Sequence, residues 1–155
     1  MIKQFLSSRS IWEGPGLSLV RILVGSFMIY HGWEVFERDK MMEYTKWITD
    51  LHYPGPEFMA YLGKGIELVA GIFFLLGLFT RVAIIPLIFT MLFITFLIGH
   101  GKIFMDDQHP FLFVVIFLIF FFTGPGKWSM DHLLYRNLYK RDSTRRRHRL
   151  RETQM

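Results

Sequence analysis

Residues 82–98 read VAIIPLIFTMLFITFLI, a run without a single charged side chain. A helix needs roughly 20 mostly apolar residues to cross ~30 Å of hydrocarbon at 1.5 Å per residue. The run therefore predicts a membrane span, with Pro86 in its first turns, where a missing N–H costs little.

Three similar runs surround it. One extends from about Gly16 to Phe36 and contains Arg21, His31 and Glu34. Another, from about Phe58 to Phe79, contains Lys64 and Glu67, and the last runs from Pro110 through Phe122 to a stop at Gly124-Pro125-Gly126. The first run is long for a signal segment and ends in Tyr30-His31-Gly32 rather than small cleavage residues, so it reads as a retained anchor. With 155 residues, 52% hydrophobic composition and 17 Phe, the chain is too apolar for a soluble domain of this size. The expectation is an all-α fold: a four-transmembrane-helix bundle within residues 1–131, followed by a basic cytoplasmic tail, 132–155.

Charge placement orients the bundle. With the N-terminus in the cytoplasm, twelve Lys and Arg lie inside against four outside, namely Arg38, Lys40, Lys46 and Lys102. The positive-inside bias then predicts both termini in the cytoplasm. The long external loop, Glu37 to Glu57, carries Met41, Tyr44, Trp47, Ile48 and Leu51 at helical spacing. This predicts a short amphipathic helix lying on the outer membrane face. After the Gly-Pro-Gly stop, Ser129 reads as the N-cap of an interfacial cytoplasmic helix. The run Arg145-Arg146-Arg147-His148-Arg149 reads as a topology signal attracted to anionic lipid rather than as a nucleic-acid site.

Chemistry is bounded by what is missing. There is no cysteine, which excludes a thiol relay, a disulfide frame and thiolate metal sites. No phosphate loop, dinucleotide fingerprint or nucleophile elbow occurs. His31, His100 and His109 have no ligand spacing, so no metal is expected.

The ionisable residues inside spans are the informative ones, because each costs about 2.5–3.5 kcal/mol at mid-membrane and ordinarily faces a bundle interior. Arg21, Gly25, Met28 and Gly32 share one stripe of the first helix, and Lys64, Glu67 and Gly71 share one on the second. The small residues let the two helices approach closely, and Lys64 and Glu67, three apart, can pair. Counted from the cytoplasmic end, Arg21 lies roughly 8 Å deep, Glu67 roughly 18 Å, and Lys64 and His31 roughly 22 Å. One polar cluster in the outer half is thus expected from His31, Glu34, Lys64, Glu67 and His100. Arg21 stands apart, near the carbonyls of the Gly124-Pro125-Gly126 turn or the carboxylate of Asp131. Such a cluster either fixes helix register or binds a headgroup, a ring or protons.

The pattern resembles a known family. Arg21-Ile22-Leu23-Val24-Gly25 leading to Tyr30-His31-Gly32 resembles the first helix of the DoxX family. Glu67-Leu68-Val69-Ala70-Gly71 with Leu76-Gly77-Leu78-Phe79-Thr80-Arg81 is similar to its second helix and turn, and Gly124-Pro125-Gly126-Lys127-Trp128-Ser129-Met130-Asp131 to its closing motif. The resemblance covers about Leu17 to Asp131; the long external loop and the extended basic tail depart from it. It implies a redox-linked protein of the bacterial cytoplasmic (inner) membrane, associated with thiosulfate:quinone oxidoreductase. On that reading a pocket lined by Arg21, His31, Lys64, Glu67 and His100 receives a quinone, and a protein partner supplies electrons. Two other readings stay open: a non-catalytic subunit anchoring a larger membrane complex, and a small solute or proton carrier. Whether the chain is itself an enzyme is left undecided.

Overall fold

The computed structural model describes residues 13–99 and 101–136; His100, the first twelve residues and the tail from 137 onward lie outside the described residues. Among the described residues the chain is all helix and turn. Helix α1 (Glu13–Trp33) continues into one 3-10 turn (Glu34–Phe36), followed by α2 (Arg38–Asp50), α3 (Pro56–Leu76), α4 (Thr80–Phe93) with a π-helical end (Ile94–Ile98), and α5 (Gln108–Thr123). Residues 130–136 are also helical.

Helices α1, α3 and α4, with their 3-10 and π extensions, are long and apolar enough to cross a membrane. Helix α5, at 16 residues, is apolar but shorter. Its ends are set locally: Pro110 lies in its first turn, and Gly124 leaves the helix at φ 82°. Large apolar side chains cover the outside of the bundle, including Leu19, Phe27, Val69, Val82 and Phe89. In a lipid solvent they incur no penalty.

Inside, α1 packs on α3, α3 on α4, and α4 on α5. The core holds Val24 and Met28 of α1, Ala70 and Phe74 of α3, Ile84 and Leu87 of α4, and Phe117 and Phe120 of α5. The Phe74 ring is fully buried and meets Phe117 and Phe120 edge-on, at 5.3 and 5.1 Å between centroids, a favoured aromatic geometry.

The α1–α3 contact depends on missing side chains. A Cβ on Gly25 would fall 2.7 Å from Leu75 Cβ, one on Gly71 2.9 Å from Met28 Cβ, and one on Gly32 directly onto the backbone of Leu68 and Glu67. A backbone cannot swing aside as a side-chain tip can. Gly32→Ala is therefore expected to destabilise the bundle by about 3 kcal/mol, the upper end for overpacking. Gly16→Ala, where a Cβ meets nothing within 4 Å, is expected to change little; unfolding in mixed detergent micelles checks both.

The short amphipathic helix expected in the external loop is α2, and its apolar face is seated on the bundle. Met41 and Ile48 are buried against Ala60 of α3, with Tyr53, Met59 and Ile98 around them. Protein covers Met41 and Ile48 of the predicted stripe and part of Tyr44, and Trp47 and Leu51 remain exposed.

Candidate functional site

The polar groups gather at two levels, one at each end of the bundle. The first is the corner that joins α3 to α4. Helix α3 ends at Gly77 (φ 65°), with Gly77 N–H donating to Phe74 O (3.0 Å) and Leu78 N–H to Phe73 O (2.9 Å), a Schellman end. The next helix begins at Thr80 with no cap of its own, because its N-cap residue is Phe79. Asp131 supplies the cap from a distant part of the chain. Its carboxylate accepts from Phe79 N–H (2.7 Å), Thr80 N–H (2.9 Å) and the Thr80 hydroxyl (2.9 Å). Asp131 N–H in turn donates to Gly77 O at 2.9 Å.

Arg21 locks the same corner from α1. It is 2% exposed, and its guanidinium donates to Pro125 O (2.5 Å) and Trp128 O (2.8 Å). Of the two partners anticipated for Arg21, the turn carbonyls receive the hydrogen bonds, and Asp131 stays within electrostatic reach. A Cβ on Gly77 would strike the Arg21 guanidinium, so this glycine provides the turn and the space together. Ser129 bonds back within the turn: its hydroxyl donates to Gly126 O and accepts from His132 N–H. Gly124, Pro125, Gly126 and Asp131 thus belong to a closure, in which the Asp131 carboxylate caps α4 and two carbonyls of the turn hold Arg21.

The second level, at the opposite end, is an ion chain. Lys64 lies 2.8 Å from Glu34 and 3.0 Å from Glu67, so one ammonium is shared by two carboxylates. Side-chain exposure falls along the chain, from 17% at Glu34 to 13% at Lys64 and 3% at Glu67. Glu34 is presented by the 3-10 turn after α1, and Lys64 and Glu67 by one face of α3. Tyr44 of α2 completes the group: its hydroxyl donates to Glu34 at 2.6 Å, and the Lys64 ammonium sits 4.6 Å from its ring centre, within cation–π range. Two carboxylates and one ammonium leave a formal negative charge for a proton or a ligand to balance.

Burial and the bond to Glu34 push the Tyr44 phenol up to about 12. The neutral form is the favoured one. Its contribution to stability is complete below the unfolded value of about 10 and is lost as pH rises through about 12. A spectrophotometric titration is expected to show a late-ionising tyrosine that Tyr44→Phe removes.

Beneath this chain lies a cavity of about 190 Å³ between α2, α3 and α4. Lys64 and Glu67 stand on its wall, with Tyr44, Trp47, Gly63, Thr90 and the apolar Met59, Phe93, Ile94 and Ile98. Its volume is roughly that of six water molecules, or one small ring. The π-helical end of α4, closed by Gly99 N–H on Ile94 O (2.7 Å), forms part of the wall; π turns are frequent at functional sites. Glu34 also faces a second opening, of about 480 Å³, on the α1 side with Trp33, Glu37 and Lys40.

The anticipated pocket is corrected accordingly. Lys64 and Glu67 line the cavity, but Arg21 is at the far end of the bundle, committed to the closing turn. His31 is half-buried beside Tyr30, within electrostatic reach of Lys64, Glu34 and His109, and does not reach the cavity. His100 lies outside the described residues. Tyr44, Trp47 and Thr90 were not read as site residues. The available signal for Tyr44 was its position on the apolar face of α2, where a buried phenol needs a partner for its hydroxyl.

A helical membrane bundle closed at one end by an Arg–Asp corner, with a buried ion chain over a small cavity at the other, is the class these features define. The DoxX family model matches residues 16–100, more than half of the chain. The chain belongs to the DoxX family. It is 30% identical over 139 residues to an uncharacterised membrane protein of Mycobacterium tuberculosis, covering 79% of this chain and 83% of the relative. It is 28% identical over 127 residues to an uncharacterised protein of Haemophilus influenzae, covering 77% and 91%. No solved structure matches the chain significantly.

Proposed function

We propose that this protein is a quinone-interacting, redox-linked accessory subunit of the bacterial cytoplasmic membrane. Both termini are then cytoplasmic and the ion chain lies in the outer half of the bilayer. The observation that carries the reading is Glu67, 2% exposed on the wall of a mostly apolar cavity and tied through Lys64 to the more accessible Glu34. A quinone ring needs an apolar slot, a donor for its carbonyl and a proton route. The Lys64 ammonium and the Thr90 hydroxyl supply donors, and the carboxylate chain supplies the route toward the second opening. Reducing a quinone consumes two electrons and two protons. This chain has no cysteine, and the electrons come on this reading from a partner's redox centre.

Trp47 on the cavity wall provides the test. A short-chain ubiquinone added to the purified protein is expected to quench part of its tryptophan fluorescence saturably, and Trp47→Phe is expected to abolish that part. Glu67→Gln, which removes the charge that positions the Lys64 ammonium, is expected to weaken the quinone's affinity about tenfold, the worth of the one charge-assisted hydrogen bond that Lys64 donates. Quenching that neither saturates nor depends on Glu67, with a partner protein retained throughout purification, would sink this reading and favour an anchoring subunit.

A further inference from the structure

We propose that the outer groove between α2 and α3 binds the headgroup of a phospholipid that carries both a phosphate and a primary amine. This groove, about 510 Å³, is separate from the cavity beside Glu67 and independent of the quinone reading. Its α2 wall presents Arg38, Thr45, Lys46 and Thr49, and its α3 wall Glu57 and Tyr61. With Met41 and Met42 between them, the α2 residues recur at spacings of three and four and so form one helix face; the α3 pair is one turn apart.

Three charges therefore surround an open space without neutralising one another. Among the described residues the ion pairs are Lys40–Glu43 and the two made by Lys64, and none involves Arg38, Lys46 or Glu57. Two cations on one wall suit a phosphate, with Arg offering a fork of donors. The hydroxyls of Thr45, Thr49 and Tyr61 add neutral donors beside them. The carboxylate on the opposite wall would repel a lone anion. It instead accepts from an ammonium held a few bonds away from that phosphate.

Depth selects a lipid over a soluble phosphate ester. Helix α3 has 21 residues, so it is about as long as the hydrocarbon core is thick. Glu57 is its second residue, placing the groove at headgroup level. Beside the groove on the same helix, Phe58 and Leu62 are 70% and 48% exposed, an apolar surface for the first part of the acyl chains. A free phosphate ester gains nothing from that surface.

The full-length protein in mild detergent, titrated with defined phospholipids and read by native mass spectrometry, tests this. Phosphatidylethanolamine is expected to bind about tenfold or more tightly than phosphatidylcholine, whose methylated amine cannot donate to Glu57. Arg38→Ala combined with Lys46→Ala is expected to abolish retention, whereas Glu57→Gln is expected to erase only the preference between the two lipids. All three side chains are exposed, and Arg81→Ala at the other end of the bundle serves as the folded control. Equal retention by the wild type and the double variant would overturn the proposal. Displacement of the lipid by free phosphorylethanolamine at equal concentration would also overturn it, assigning the groove to a soluble ligand.

Discussion

Arg21→Met is expected to lower the stability of the bundle by about 3–5 kcal/mol, the range for deleting one member of a buried charged network. The side chain is 2% exposed and donates to two carbonyls of the closing turn, Pro125 O and Trp128 O. Methionine fills much of the volume but leaves both acceptors without the donor they have in the wild type. It also removes the positive charge near Asp131, whose carboxylate caps α4 through three hydrogen bonds. The loss therefore propagates to the α3–α4 corner. Arg21→Lys is expected to fall between the two, because it keeps the charge and loses the fork that reaches both carbonyls. Unfolding in mixed detergent micelles measures the series, with Asp131→Ala expected on the same side and Arg81→Ala, at an exposed position, near zero. Wild-type stability in Arg21→Met would remove the closure from the account of this fold.

The second large effect is expected at Lys64. Lys64→Met leaves Glu34 and Glu67, which the ammonium holds at 2.8 and 3.0 Å, facing each other with no cation between them. Breaking such a group by removing one partner costs about 3–5 kcal/mol, whereas replacing all of it with neutral residues is often nearly neutral. Adding Glu67→Gln and Glu34→Gln to Lys64→Met is therefore expected to recover most of the lost stability. The same two substitutions in the Lys64 background leave the ammonium unpaired and are expected to be harmful there. A thermodynamic cycle on purified protein reads the coupling, which is expected to exceed the few tenths of a kcal/mol seen for independent sites. Additive effects would show that the three groups titrate and pack separately, and would remove the physical basis of a proton route from the cavity to Glu34.

Much of the site was legible along the chain and some was not. Lys64 and Glu67 were readable as a pair because three residues is close to one helical turn, and they were readable as inward-facing because lipid penalises charge. Arg21 was readable as separate from them because 1.5 Å per residue turns sequence distance into depth. His31 shared that depth but not the cavity: depth does not specify rotation or which neighbour stands alongside. The phenol of Tyr44 and the ring of Trp47 come from α2, whose seat on α3 depends on contacts made by Met41 and Ile48 with residues distant in sequence.

The amino-acid sequence by itself determined that the chain is a bundle of apolar helices, which faces of α1 and α3 meet through Gly25, Gly32 and Gly71, and that charges inside the spans must turn inward. Those features follow from local periodicity and from the cost of charge and bulk in a thin apolar layer, so each residue carries its own instruction. Only the tertiary structure decided that the apolar face of α2 packs on α3, that a distant Asp131 caps α4, and that Tyr44 joins Glu34, Lys64 and Glu67 at one site beside a cavity. An apolar face is satisfied equally by lipid or by protein, and a carboxylate by any donor within 3 Å; the choice among such equivalent partners is made by how the helices pack.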